Sequence, residues 1–250
     1  MLIVTEKRHG IDIVDCWFAK DRIDRNGVVR YKQSLVPIGD SCDEFRTLVT
    51  DLSESEEDIL SHISKNGRYE IRRAPKEGIT CESYVGKNIS EAFLKEYFDF
   101  FEEFWKSKGI EYSEKDKQYS EALKYVQNEA YAITIARKDE KILVYHTYIV
   151  GDDFVRLYQS ASQFRTDENV TGSVIGFANR YLHYEDMKFF KKLGKVNYDW
   201  GGAGLNEDVA SITKFKESFG GNEKIQYNSE ETVGAAAKLY RKATGIIGGR

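Results

Sequence analysis

The first forty residues carry apolar runs of strand type, a third strand-like run follows, and a helical period first appears after residue 53, and this switching lays out the chain. IDIVDCWFAK (11–20) and VVRYKQSLVPIG (28–39) are rich in β-branched and aromatic residues. The DRIDRNG link between them ends in an Asn-Gly turn signal, which predicts a β-hairpin with a long loop. FRTLVTDL (45–52) reads as a third strand. In SESEED, Ser53 and Ser55 precede acids, as at a helix start. That helix carries Ile59, Leu60 and Ile63 on one face and is expected to end near Asn66-Gly67. ITCESYVG (79–86) is a further strand. NISEAFLKEYFDFFEEFWKSKG (88–109) is a long helix with Ser90 as N-cap. Its stripe of Phe93, Leu94, Tyr97, Phe98, Phe101, Phe104 and Trp105 suits a core face, with a ligand box as the alternative. A weaker helix follows in SEKDKQYSEALKYVQNE (113–129).

From Ala130 to Phe164 the pattern is a β-meander. AYAITIAR, KILVYHTYIVG and FVRLYQSASQ are separated by the polar turns KDE and DD. His146 shares a strand face with Tyr148; it is either a satisfied core residue or a base. The small and polar run Gln159, Ser160, Ala161, Ser162 and Gln163 leaves backbone groups available to a ligand. Thr171, Gly172 and Ser173 open the next helix, whose free N–H groups and positive end suit a phosphate. This helix is expected to break near His183, because Glu185 would otherwise fall on the apolar face. In KVNYDWGGAG (195–204), Val196, Tyr198 and Trp200 alternate with Asn197 and Asp199 as in a strand. Asp199 sits at the strand mouth beside Gly201-Gly202, where a carboxylate suits a site or caps the turn through the backbone. ITKFKESFGG (212–221) adds a short amphipathic helix and a glycine stop. EKIQYN is the last strand, GAAAKLYRKATG a terminal helix, and IIGGR a frayed tail.

Charge and composition narrow the chemistry. The 250 residues allow one large domain or two small ones, and 41% hydrophobic content with 13% aromatic supports a packed core. A net charge of −4 argues against nucleic acid as a partner. One local exception is RYEIRRAPKEG, where Arg68, Arg72, Arg73 and Lys76 fall close together. It is a phosphate clamp or a solvated face paired with Glu70 and Glu77. Cys16, Cys42 and Cys81 have no zinc spacing, and free thiols without a signal peptide point to the cytoplasm. No apolar run reaches the ~20 residues of a membrane helix, so no membrane insertion is expected.

The order of elements resembles the GNAT acyltransferase fold. Three segments are similar to its FemABX-related branch: DLSESEEDILSHISKNGRYEIRRAPKEG, YHTYIVGDDFVRLYQSASQFR, and KVNYDWGGAG with TKFKESFGG. The resemblance covers about residues 44–228, and the pairing of a YDWGG strand with an FKxxFGG helix is its most specific part. It implies an α+β fold with a GNAT-like mixed, mostly antiparallel sheet flanked by helices. An N-terminal β-hairpin extension (1–43) would precede it, and a C-terminal helix and tail (229–250) would follow. The chain is shorter than the two-domain peptidoglycan enzymes of this branch and has no charged heptad arm for tRNA. Only Arg165 and Gly172-Ser173 remain of the usual pyrophosphate loop.

A single-domain member of this branch resembles the sugar N-acyltransferases that modify dTDP-linked amino sugars of surface polysaccharide, a subgroup of which uses 3-hydroxybutanoyl-CoA. The resemblance implies an acyl-CoA co-substrate and no metal. The CoA diphosphate would meet Arg165 and Thr171 to Ser173, and backbone N–H groups of Gln159, Ser160 and Ala161 would face the oxyanion. Asp199 or His146 would take the amine proton. Arg72 and Arg73 would hold the nucleotide-sugar diphosphate, with Trp200, Gly201 and Lys214 completing the acceptor side. A homodimer through the hairpin edges is a further expectation. Two alternatives stay open: an aminoacyl-tRNA-dependent FemABX transferase, and a silent nucleotide-sugar-binding domain.

Overall fold

The computed structural model of the protein describes residues 1–163, 171–203 and 207–244. The chain divides into two compact units, Met1–Thr47 with Glu223–Arg250, and Leu48–Asn222. In the first unit β1 (Leu2–Arg8) turns back on β2 (Ile11–Trp17) through His9 and Gly10, both at positive φ. An N-terminal hairpin therefore forms, one strand earlier than the sequence pattern suggests. β2 and β3 (Gly27–Ser34) run parallel, with Ile13 opposite Val28 and Trp17 opposite Lys32. The expected hairpin between 11–20 and 28–39 is thus corrected. Residues 18–26 return along the strands instead of reversing at one end. Gly27 opens β3 at a φ of 130°, where a Cβ would stand 2.3 Å from the Asp12 carbonyl oxygen. Its glycine serves close backbone approach, not a two-residue turn.

β4 (Asp43–Asp51) leads into the helices of the second unit. Ser55 caps α1 (Glu56–His62) by accepting from Asp58 N–H at 3.1 Å. The expected stop at Asn66-Gly67 does not occur. Ser64 caps a second helix, α2 (Lys65–Arg73), and accepts from Gly67 N–H at 3.1 Å, so the break falls at Ile63-Ser64. A 3₁₀ turn (Ala74–Glu77) and left-handed Gly78 lead to β5 (Ile79–Val85). α3 (Glu91–Ser107) starts at Ser90 as the pattern predicts, and α4 (Lys115–Gln127) follows.

β6 (Tyr131–Lys138), β7 (Lys141–Val150) and β8 (Phe154–Ser162) form the expected antiparallel meander. α5 (Gly172–Lys192) runs 21 residues without interruption. The expected break is absent because His183 and Asp186 are accommodated in the interior, while half-buried Glu185 pairs with Lys188 at 2.6 Å. β9 (Asn197–Asp199) lies between β4 and β8, antiparallel to the first and parallel to the second. Strand order within the unit is β4-β9-β8-β7-β6-β5, with β5 antiparallel to β6.

The junction of β8 and β9 matters most for the site. Only Phe154–Arg156 pairs with β9. Gly201 then turns the chain away at a φ of 72°, where a Cβ would lie 2.2 Å from the Leu157 carbonyl oxygen. β8 continues to Ser162 with no β9 partner, and a bulge opposite Thr147 and Tyr148 further reshapes it. Tyr148, Tyr198, Trp200, Phe190 and Phe219 form the aromatic core beneath.

After α6 (Glu207–Glu217), the chain enters β10 (Asn222–Val233), antiparallel to β3 and longer than the EKIQYN strand the sequence suggests. α7 (Ala235–Thr244) closes the first unit, and the IIGGR tail lies outside the described residues. No described helix is long and apolar enough to cross a membrane.

Candidate active site

A cleft of about 700 Å³ lies where β8 departs from β9. Phe101, Phe104 and Trp105 from the end of α3, with Ile110 beyond it, give it an apolar wall. Ile212, Phe215 and Lys216 of α6 stand along another side, Leu157 to Ser160 of β8 supply a strand edge, and Asn179, His183 and Trp200 reach it from α5 and the end of β9. A polar shelf crosses it. Tyr97 and Tyr112 donate to Gln159 Oε1 and Gln118 Oε1, each at 2.8 Å, and the Gln159 amide donates to Gln118 Oε1 at 2.5 Å.

Behind the cleft lies a buried polar network. His146 and Tyr148 share one face of β7, two residues apart. Asn179, His183 and Asp186 fall at i, i+4 and i+7 on α5, which aligns them on one helix face. Tyr198 comes from β9. Tyr148 donates to Asp186 Oδ2 at 2.5 Å, and His146 Nδ1 meets the same oxygen at 2.8 Å. The Tyr148 and Tyr198 hydroxyls are 2.7 Å apart, and Tyr198 meets His183 Nδ1 at 2.9 Å. His146 Nε2 meets Asn179 Oδ1 at 2.8 Å. The two imidazoles stack at 3.9 Å with 27° between planes, which closes a ring of five side chains with Asn179 attached through His146. Asp186 Oδ1 is buried and has no hydrogen-bond partner among the described residues.

Burial sets the protonation of this network. It pushes His183 well below the usual imidazole range, with His146 beside it adding to the effect. Burial and then the Asp186 charge push the Tyr148 and Tyr198 phenols well above theirs. Ligand-type atoms of His146, His183 and Asp186 lie within 4.8 Å of one another. Stacked rings direct their in-plane lone pairs side by side, however, and three of the four ring nitrogens already hold partners. The cluster is a hydrogen-bonded ring, not a convergent metal cage.

A second charged group borders the cleft. Lys216 Nζ donates to the Gly202 carbonyl at 2.6 Å. Burial pushes its ammonium down to about 8; nearby Arg156 lowers it further and Asp199 offsets part of this. Arg156 and Asp199 are register partners across β8 and β9.

The sequence-predicted residues are divided by this geometry. Gln159, Ser160 and Trp200 line the cleft. Ala161 is buried, and half-buried Gly201 forms the turn against Leu157. Trp200 is itself buried and donates from Nε1 to Thr50 Oγ1 at 3.0 Å, so only part of its ring reaches the cleft. Asp199 is fully buried, does not line the cleft, and accepts from Gly201 N–H at 2.8 Å, as a turn cap does. His146 is also fully buried and contributes nothing to the lining. Thr171 caps α5 by accepting from Val174 N–H at 3.4 Å, with exposed Gly172 and Ser173 beside it. Exposed Arg72 donates to the Arg68 carbonyl, exposed Arg73 pairs with Glu77 at 2.6 Å, and neither lines the cleft. Lys214 is exposed on α6, and Arg165 lies outside the described residues. Sequence reasoning missed His183, Asn179 and Lys216. The signal was the N-x₃-H-x₂-D spacing on one face of an otherwise apolar helix.

No family model matches the chain, and no curated protein matches its sequence. Solved structures do match. FemX superimposes with a TM-score of 0.60 at 11% identity, covering 79% of this chain and 63% of FemX. A conserved protein of unknown function from Bacteroides thetaiotaomicron VPI-5482 gives 0.56 at 11% identity, over 81% of this chain and 68% of that one. L-PGS from Bacillus licheniformis gives 0.53 at 13% identity, over 99% and 86%. The chain thus spans 63% of the length of FemX, and at these identities the shared property is the fold. The fold is FemX-like: a mixed, mostly antiparallel sheet flanked by helices.

Proposed function

We propose that the protein transfers an acyl group from acyl-CoA to the amine of a nucleotide-linked amino sugar. The observation that carries this reading is the parted strand pair. Past its last register pair with β9 at Arg156, β8 runs on along a cleft that is apolar on one wall and polar at its floor, with Ser160 on the strand's side away from β7. The amide-bearing arm of CoA can pair with such an edge as an added strand would. Its thioester then lies near the backbone N–H of Ser160, which suits a developing oxyanion, while Gln159 and Ala161 hold that strand against β7. The wall of Phe101, Phe104 and Trp105 favours an acyl chain of several carbons, such as 3-hydroxybutanoyl, over acetyl.

The remaining roles follow from chemistry. Thr171, Gly172 and Ser173 meet the CoA diphosphate at the start of α5, with Arg165 alongside. Arg72, Arg73 and Lys214 serve the nucleotide-sugar diphosphate as exposed cations. Lys216 is the cation nearest the reacting atoms. Asp199 acts through the Gly201 turn and through Lys216, and His146 acts through Asp186 and Asn179. The reaction is consistent with a cytoplasmic supply of both co-substrates.

A screen for thiol release over short and medium acyl-CoAs with dTDP- and UDP-amino sugars tests the proposal. Release that depends on the amino sugar is expected, and none with any pair would remove it. The likeness of fold to FemX favours one second reading, an aminoacyl-tRNA donor. Transfer from charged tRNA, with no thiol release from acyl-CoA, would select it.

A further inference from the structure

The buried ring fixes the tautomer of the one histidine that reaches the cleft. An Asp186 carboxylate only accepts, so Tyr148 donates to its Oδ2. Tyr148, with its hydrogen committed, accepts from Tyr198 at 2.7 Å, and Tyr198 accepts from His183 Nδ1–H at 2.9 Å. One acceptor thus orders every donor along the line. His183 carries its proton on Nδ1 and a lone pair on Nε2. That nitrogen has no hydrogen-bond partner among the described residues, and His183 lines the cleft.

Resting on the acyl-transfer reading above, we infer that His183 Nε2 takes the proton of the attacking amine and that Tyr198 and Tyr148 carry a proton on to Asp186. As the amine nitrogen bonds to the thioester carbon, its N–H bond breaks toward Nε2. The Nδ1 proton passes to the Tyr198 oxygen, the Tyr198 proton to the Tyr148 oxygen, and the Tyr148 proton to Asp186 Oδ2. When the tetrahedral adduct collapses, the C–S bond breaks and the sulfur leaves as a thiolate. It takes a proton returned along the same line, so the products are amide and thiol and the network ends as it began. His183 is the catalytic residue here; Tyr198, Tyr148, Asp186 and His146 are positioning residues.

The surroundings of His183 explain why the proton would travel on. Trp200, Phe215 and Phe219 pack around the ring. The titratable groups facing it are His146 from β7, Tyr198 from β9, Lys216 from α6, and Arg180 and Asp186 from its own helix. Cations and apolar rings together disfavour a resting imidazolium. At the far end, Asp186 Oδ1 is buried without a donor. A neutral acid tolerates that unpaired oxygen better than a carboxylate does.

Long-range ¹⁵N–¹H spectra of the histidines in the intact chain test the first half directly. At pH 7 His183 is expected as the neutral Nδ1–H tautomer. Tyr198→Phe removes its acceptor and should move the population toward Nε2–H. In the thiol-release assay His183→Gln should lower kcat about 100-fold, with KM unchanged and the near-ultraviolet circular dichroism retained. Tyr198→Phe should lower kcat about tenfold and change the acid side of its pH profile. An Nε2–H tautomer in the wild-type protein would overturn the inference, as would a Tyr198→Phe protein with wild-type tautomer and pH profile. Should no acyl-CoA release thiol while His183 still holds its proton on Nδ1, the relay stands and the acyl-CoA reading falls.

Discussion

A lysine whose ammonium is pushed down to about 8 titrates inside the working range of an enzyme, and Lys216 does so at the cleft edge. Its charged form is the one that stabilises an oxyanion or a phosphate, and that form is lost as pH rises through about 8. Turnover should therefore fall on the alkaline side of that value. Lys216→Arg keeps the charge and should remove this fall, whereas Lys216→Met should cost about 100-fold below about 8 and progressively less above it. Asp199 raises the lysine's affinity for its proton while Arg156 lowers it. Asp199→Asn leaves the cation facing Arg156 with less compensation, so the alkaline limb should move to lower pH. A pH–rate profile for the three variants decides the matter; an unmoved limb in Asp199→Asn would separate Asp199 from Lys216. Stability runs the other way. Between about 8 and the unfolded value near 10.5 the unfolded chain holds more protons, so the wild-type protein gains stability as pH rises through that window.

Elements decide how these residues meet, and here the sequence was legible unevenly. The meander, the Ser90-capped α3 and the strand–turn–helix around Asp199 were readable because alternation and capping are local signals. The parallel pairing of β2 with β3 was not, since an Asn-Gly pair reads as a hairpin turn whichever way the strands run. The continuity of α5 was hidden for a related reason. The break expected near His183 rested on Glu185 falling on the apolar face, and only the partners on β7 and β9 reveal that Asn179, His183 and Asp186 form an interior polar stripe. The Gly201 turn belongs to this scale as well. It ends β9 after three residues and so creates the open edge of β8. Gly201→Ala forces a Cβ to within 2.2 Å of the Leu157 carbonyl oxygen at a φ of 72°. The chain must shift there, at a cost of about 1–3 kcal/mol. A lowered melting temperature together with weaker acyl-CoA binding is expected; full stability and affinity would mean the turn does not set the edge.

Over the whole molecule, two anionic co-substrates must bind a chain of net charge −4, so attraction has to be local. The cleft, its strand edge and the buried ring all lie within Leu48–Asn222. Acyl-CoA binding should therefore act on that unit specifically. At one hundred times its dissociation constant a ligand adds about 2.7 kcal/mol of stability to what it binds. Amide exchange should slow at Ser160 and in the first turn of α5, because those N–H groups would gain acceptors. β1 to β3 and α7 offer no part of the cleft and should exchange at the unliganded rate. Raising salt from about 0.01 M to 0.15 M shortens the reach of charge from about 30 Å to about 8 Å. Affinity for acyl-CoA should then fall while kcat, set inside the buried network, holds. Exchange mapped by mass spectrometry at both salt concentrations would test this. Protection confined to Met1–Thr47 and the later part of β10 would put the ligand elsewhere and remove the cleft from the reaction.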